Sequence, residues 1–145
     1  MSQGGVDGMF GSMDISLSAM RAQRQRIDVV ASNLANADST RTTQGGPYKR
    51  QQVVFEAVLQ NASGSSSGPA GVRVASIVSD PRPPMVVHNP GHPDADANGN
   101  VLMPDIRPAE EMADLISASR FYEANSAALK ITRAMFQKSL DMGKA

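Results

Sequence analysis

The chain has 145 residues, with 14 Lys and Arg against 14 Asp and Glu, so its formal net charge is zero. That balance speaks against a protein whose main task is gripping nucleic acid or an acidic membrane, since both rely on a basic excess. With no cysteine, disulfides, thiolate zinc sites and cysteine nucleophiles are excluded. Tryptophan is absent, and a core drawn from Ala, Met, Leu and Val suits helix packing better than a ligand cavity.

The chain opens on "MSQGGVDGMFGSMD", which has neither the basic start nor the apolar centre of a Sec-type signal peptide. No apolar run approaches the roughly 18 residues of a membrane span. The expectation is a protein that stays in the cytoplasm or leaves by a route that cleaves no signal, with residues 1–12 as a flexible lead.

The first predicted helix runs from about Met13 to Asn36. Ser12 can cap it, and Asp14 suits its first turn. Met13, Met20, Ile27 and Leu34 recur every seven residues, with Val30 and Ala31 beside them. Asn and Asp in "NLANADST" favour the left-handed and turn conformations that end a helix.

The middle, residues 40–107, changes character. "QQVVFEAVL" and "GVRVASIV" read as short strands, "PMVVH" and "NVLMP" as weaker ones, and residues 61–71 as a flexible Ser/Gly loop. The last predicted helix spans about Pro108 to Met142. Pro108 fits the first helical position, and Glu110 and Glu111 suit the first turn. Leu115, Tyr122, Leu129 and Phe136 repeat every seven residues, with Met112, Ser119, Ser126 and Leu140 between them. The fold class is α+β: long terminal helices (13–39 and 108–145), whose heptad stripes must be covered by each other as a coiled coil, by copies in neighbouring molecules, or by both, around a small β-hairpin-rich middle (40–107). At 1.5 Å per residue the helices would span roughly 35 and 50 Å.

Few residues offer chemistry. Asp94, Asp96, Asn98, Gly99 and Asp105 have nearly the spacing of an EF-hand loop, so a calcium-binding module is the alternative function. However, "DPRPPMVVHNPGHP" cannot be an entering helix, and Pro104 falls where the exit helix should be under way. An Asp- and Asn-rich turn explains the same residues. His88 and His92 sit four apart across a Pro-Gly turn, not on one helical face, so they do not form a metal pair of the HExxH type. There is no Walker A, HExxH or GxSxG motif, so no enzyme, cofactor or small-molecule substrate is expected.

At "SNLANADSTRT", residues 32–42, the sequence resembles the N-terminal signature of bacterial flagellar axial proteins, the rod, hook and hook-junction subunits. "GGPYKRQQVVFE", "GVRVASIVSDPRPPMVVHNPGHPDADANGNVLMPDI" and "EEMADLISASRFYEANSAALKITRAMFQKSLDMGK" narrow it to the proximal rod proteins of the basal body. The resemblance implies a structural subunit whose terminal helices polymerise into the tube that transmits torque and encloses the export channel. It implies export by the flagellar type III apparatus into the periplasm without signal cleavage. Implied partners are other rod proteins, copies of the chain, the membrane-embedded ring and its rod adaptor. Assembly would use Met13, Met20, Ile27, Leu34, Leu115, Tyr122, Leu129 and Phe136. Asn33, Asn36 and Asn125 would bond across helices and fix register, or Asn33 and Asn36 would only end the first helix.

Overall fold

The computed structural model describes residues 3–60 and 68–143. Helix α1 spans Gln3–Ala35 and helix α2 Pro108–Met142. Between them lie strands β1 (Gln51–Gln60), β2 (Gly68–Ser79), β3 (Met85–His88) and β4 (Asn100–Met103). They form two separate antiparallel two-stranded sheets, β1 with β2 and β3 with β4. In the second, Met85 faces Met103 and His88 faces Asn100. The two helices touch each other. No helix among the described residues is long and apolar enough to cross a membrane.

The four strands and α2 lie where the apolar runs and the Pro108 start place them. α1 differs: it begins at Gln3 rather than Met13, so residues 3–12 of the expected flexible lead are helical. Glycine disfavours helix by about 1 kcal/mol relative to alanine, which is why this glycine-rich stretch does not read as helix. Residues 61–67 of the expected loop lie outside the described residues, and 68–71 belong to β2.

The chain divides into two compact units. The first comprises 1–25, 55–75 and 118–145, the second 26–54 and 76–117. The second holds the apolar core, with Val29 and Val30 from α1, Val101 from β4, and Ile106 buried together with Glu111 and Asn33. In the first, only Ala22 and Ala118 are buried among the described residues. Alanine permits close helix approach but withdraws little apolar surface from water.

Candidate assembly elements and the buried polar node

In the second unit, the end of α1 prepares the node. Asn36 closes the helix by donating from Nδ2 to the Ser32 carbonyl at 2.9 Å, and its Oδ1 accepts from Ser39 at 3.1 Å. The chain then reverses through Gly45 and Gly46, with φ of 82° and 75°, a left-handed pair that a side chain would strain. Thr42 N–H bonds the Gly46 carbonyl across this turn. The reversal returns Tyr48, Arg50 and Gln51 to the end of α1.

Asn33 is fully buried there, and all four of its side-chain bonding positions are used. Nδ2 donates to the Gln51 carbonyl at 2.8 Å and to Glu111 Oε2 at 3.0 Å. Oδ1 accepts from Gln51 N–H at 2.9 Å and from the Tyr48 hydroxyl at 3.2 Å. The carboxamide thus pairs with both backbone groups of Gln51 as a neighbouring strand would. Glu111 is 1 % exposed. Its Oε1 accepts from Arg50 Nε at 2.6 Å. Arg26 reaches Asp114 at 3.0 Å, and Arg50 stands 3.8 Å from the same carboxylate. Two cations and two carboxylates alternate, so each charge of this node has an opposite partner. Glu111 also sits in the first turn of α2, where the helix dipole favours an anion.

The residues with calcium-like spacing have other partners. Asp94 accepts from Thr40 at 2.7 Å and pairs with Arg41. Asp96 Oδ1 accepts from the N–H groups of Asn98 and Asn100, both at 2.8 Å. Asp105 pairs with Arg82 at 2.8 Å. Gly99 takes φ 75°, as the turn requires. Among the described residues no three His, Asp or Glu side chains gather as metal ligands. His88 faces Asn100, and His92 accepts the Asp94 N–H. An open groove of about 520 Å³ lies between Thr40–Arg41, Pro47 and the exposed Val86–Leu102 pair.

The heptad residues Met13, Met20, Ile27, Leu34, Leu115, Tyr122, Leu129 and Phe136 are all half-buried. Along α2 one covered line alternates four and three apart: Glu111, Leu115, Ala118, Tyr122, Asn125, Leu129, Thr132 and Phe136, with Asp114, Ser117, Ser119, Ser126 and Ser139 also half-buried beside it. The small and polar members of this seam escape an apolar count. Asn33 bonds across to α2, whereas Asn125 donates to the Phe121 carbonyl of its own helix at 2.8 Å.

A second stripe on α2 lies bare. Phe121, Ala124, Ala128, Ile131 and Met135 follow the same three-and-four spacing and are exposed. Ile131 and Met135 are 61 % and 62 % exposed. A helix with one covered seam and one bare apolar seam is suited to packing against a further helix.

Paired terminal helices, a small β middle and an uncovered apolar stripe are the features of a subunit that packs against further helices. Residues 13–41 match the family described as flagella basal body rod protein, and residues 97–142 match the flagellar basal body rod FlgEFG protein C-terminal family. The chain is 47 % identical to the flagellar basal-body rod protein FlgC of Yersinia enterocolitica over 90 % of its own length and 95 % of the relative's. It is 42 % identical to that of Bacillus subtilis, covering 93 % and 98 % of the two chains. Against that of Borreliella burgdorferi identity is 40 %, covering 92 % and 96 %. The chain belongs to the FlgC family of flagellar basal-body rod proteins. It is a structural subunit of the basal-body rod, located in the rod and assembled with other rod components, and the family is not enzymatic.

Proposed function

We propose that the chain polymerises through its terminal helices, which line the rod's inner tube around the export channel and carry torque along it. The observation that supports this most is the bare seam Phe121–Ala124–Ala128–Ile131–Met135, beside a seam already covered within the chain. Met13, Met20, Ile27, Leu34, Leu115, Tyr122, Leu129 and Phe136 hold the helix pair, which presents the bare seam to neighbouring subunits. Asn33 and Asn36 bond within the subunit and fix the end of α1.

The neighbours are copies of the chain, other rod proteins, and at the base the membrane-embedded ring with its rod adaptor. Delivery runs through the flagellar type III apparatus into the periplasm, without a cleaved signal. The test is complementation. Deletion of the gene should leave basal bodies without a complete rod. The wild-type chain should restore rods, and an exported Ile131→Asp chain should not. Complete rods in the deletion strain would reject the role, and complete rods with Ile131→Asp would reject the bare seam as the contact.

A further inference from the structure

The node joins three stretches that are far apart in sequence: the end of α1, residues 48–51, and the first turns of α2. Each supplies a group that the other two need. If α1 and α2 closed without residues 48–51, Glu111 would be buried without Arg50. Asn33 Oδ1 would lose both donors, Gln51 N–H and the Tyr48 hydroxyl. If α1 and residues 48–51 closed without α2, Arg50 would lose the Glu111 carboxylate and Asn33 one acceptor. An uncompensated carboxylate in a buried site costs more than a buried pair gains, so a half-made network is worse than an open one.

We infer that the Asn33–Glu111–Arg50 node is a latch that makes the pairing of α1 with α2 conditional on docking of residues 48–51. Those residues dock only after the chain has reversed at Gly45–Gly46 and β1 has started, with Asp80 N–H bonding the Arg50 carbonyl at 2.7 Å. Helix pairing therefore reports that the β middle has closed. The consequence for assembly rests on the proposed polymerisation: a subunit whose middle is unformed does not present a registered helix pair to its neighbours. The latch itself concerns the free subunit and is tested there.

Hydrogen exchange on the purified full-length chain decides it. Arg50→Met changes no residue of either helix, but it removes the pairs with Glu111 and Asp114 on α2, so residues 26–35 of α1 are the decisive reporter. The latch predicts that exchange rises about tenfold together in residues 26–35 and 108–117, as expected when buried polar groups lose their partner. A rise confined to residues near position 50 would overturn the proposal. Asn33→Asp sets two carboxylates against each other and should open all three stretches. Adding Glu111→Gln restores a donor to position 33 while keeping an acceptor for Arg50, and should recover part of the protection, the Gln51 carbonyl still lacking its donor. If Asn33→Asp fails to fold, the double variant should recover folded chain. A double variant no better than Asn33→Asp would show that the contact between positions 33 and 111 does not couple the helices, and would overturn the latch. Neither result depends on rod assembly, so failure here is distinct from failure of the complementation test.

Discussion

Asn33 and Glu111 meet at 3.0 Å, both withdrawn from solvent, and each holds a different part of the β middle. Asn33 grips the backbone of Gln51, and Glu111 the guanidinium of Arg50. Replacing Glu111 with alanine would leave Arg50, itself 16 % exposed, with only the more distant Asp114 carboxylate at 3.8 Å. The expected loss is about 3 kcal/mol, typical of breaking one side of a buried pair. Urea unfolding of the free chain measures it, and a change under about 0.5 kcal/mol, the range of an ordinary surface substitution, would contradict the account of the node.

In the first unit a close approach sets a different limit. A Cβ at Gly71 would stand 2.4 Å from Ser18 Oγ, at φ +146°. Ser18 already donates to the Ile15 carbonyl at 2.7 Å and accepts from Val72 N–H at 3.1 Å. Gly71→Ala should therefore destabilise the chain by about 1–3 kcal/mol. Adding Ser18→Ala removes the Oγ contact but leaves the Cβ of residue 18 at 3.0 Å, the backbone strain, and Val72 N–H without its acceptor, so the double variant should recover only part of the loss. Thermal unfolding distinguishes partial from complete recovery.

The two faces of α2 should respond differently to charge. Met135→Asp lies on the bare seam and should change free-subunit stability by less than about 0.5 kcal/mol, yet stop rod formation. Leu129→Asp and Ile27→Asp lie at half-buried seam positions and should both lower stability and stop assembly. Unfolding curves, read beside counts of intact rods, check the pairing of effects. Equal destabilisation by all three would erase the distinction between the faces.

Acid sensitivity should appear at Asp80. The Arg82 side chain, then the Arg82 backbone N–H, bonds its carboxylate and holds its pKa below the ordinary 3.8. A lowered folded-state value means the contribution is fully present above the ordinary aspartate range. It fades as the pH falls through the lower folded value. An NMR titration should find Asp80 protonating below its usual pH, and Arg82→Met should return it toward the ordinary value.

Calcium should be without effect. Asp94, Asp96 and Asp105 serve Arg41 and Thr40, a backbone turn, and Arg82 respectively. Millimolar calcium should produce no heat in calorimetric titration and no change in melting temperature. A saturable signal would restore the loop as an ion site.

Much of this architecture is legible in the residues. Pro108 with the two following glutamates marks the start of α2, and the β-branched runs mark all four strands. The large residues of the α2 seam show in their seven-residue recurrence. The start of α1 is not legible, because glycine-rich sequence argues locally against helix. The other half of the α2 seam is also hidden: Glu111, Asn125 and Thr132 are polar, and an apolar count passes over them. No local pattern tells that Glu111 turns inward while Glu110 stays exposed with Arg107. That choice is made by Arg50 and Asn33, both distant in sequence. The calcium-like spacing misleads for a related reason, since ion loops and tight turns draw on the same short polar side chains.

The central claim is that the bare seam of α2 meets a neighbouring subunit in the rod. Site-specific photo-cross-linking from position 131 or 135 in assembled basal bodies tests it most directly. The account predicts covalent adducts to rod subunits from both positions, and none from exposed Glu123. Rods that contain the substituted chain but give no adducts from either seam position would contradict it.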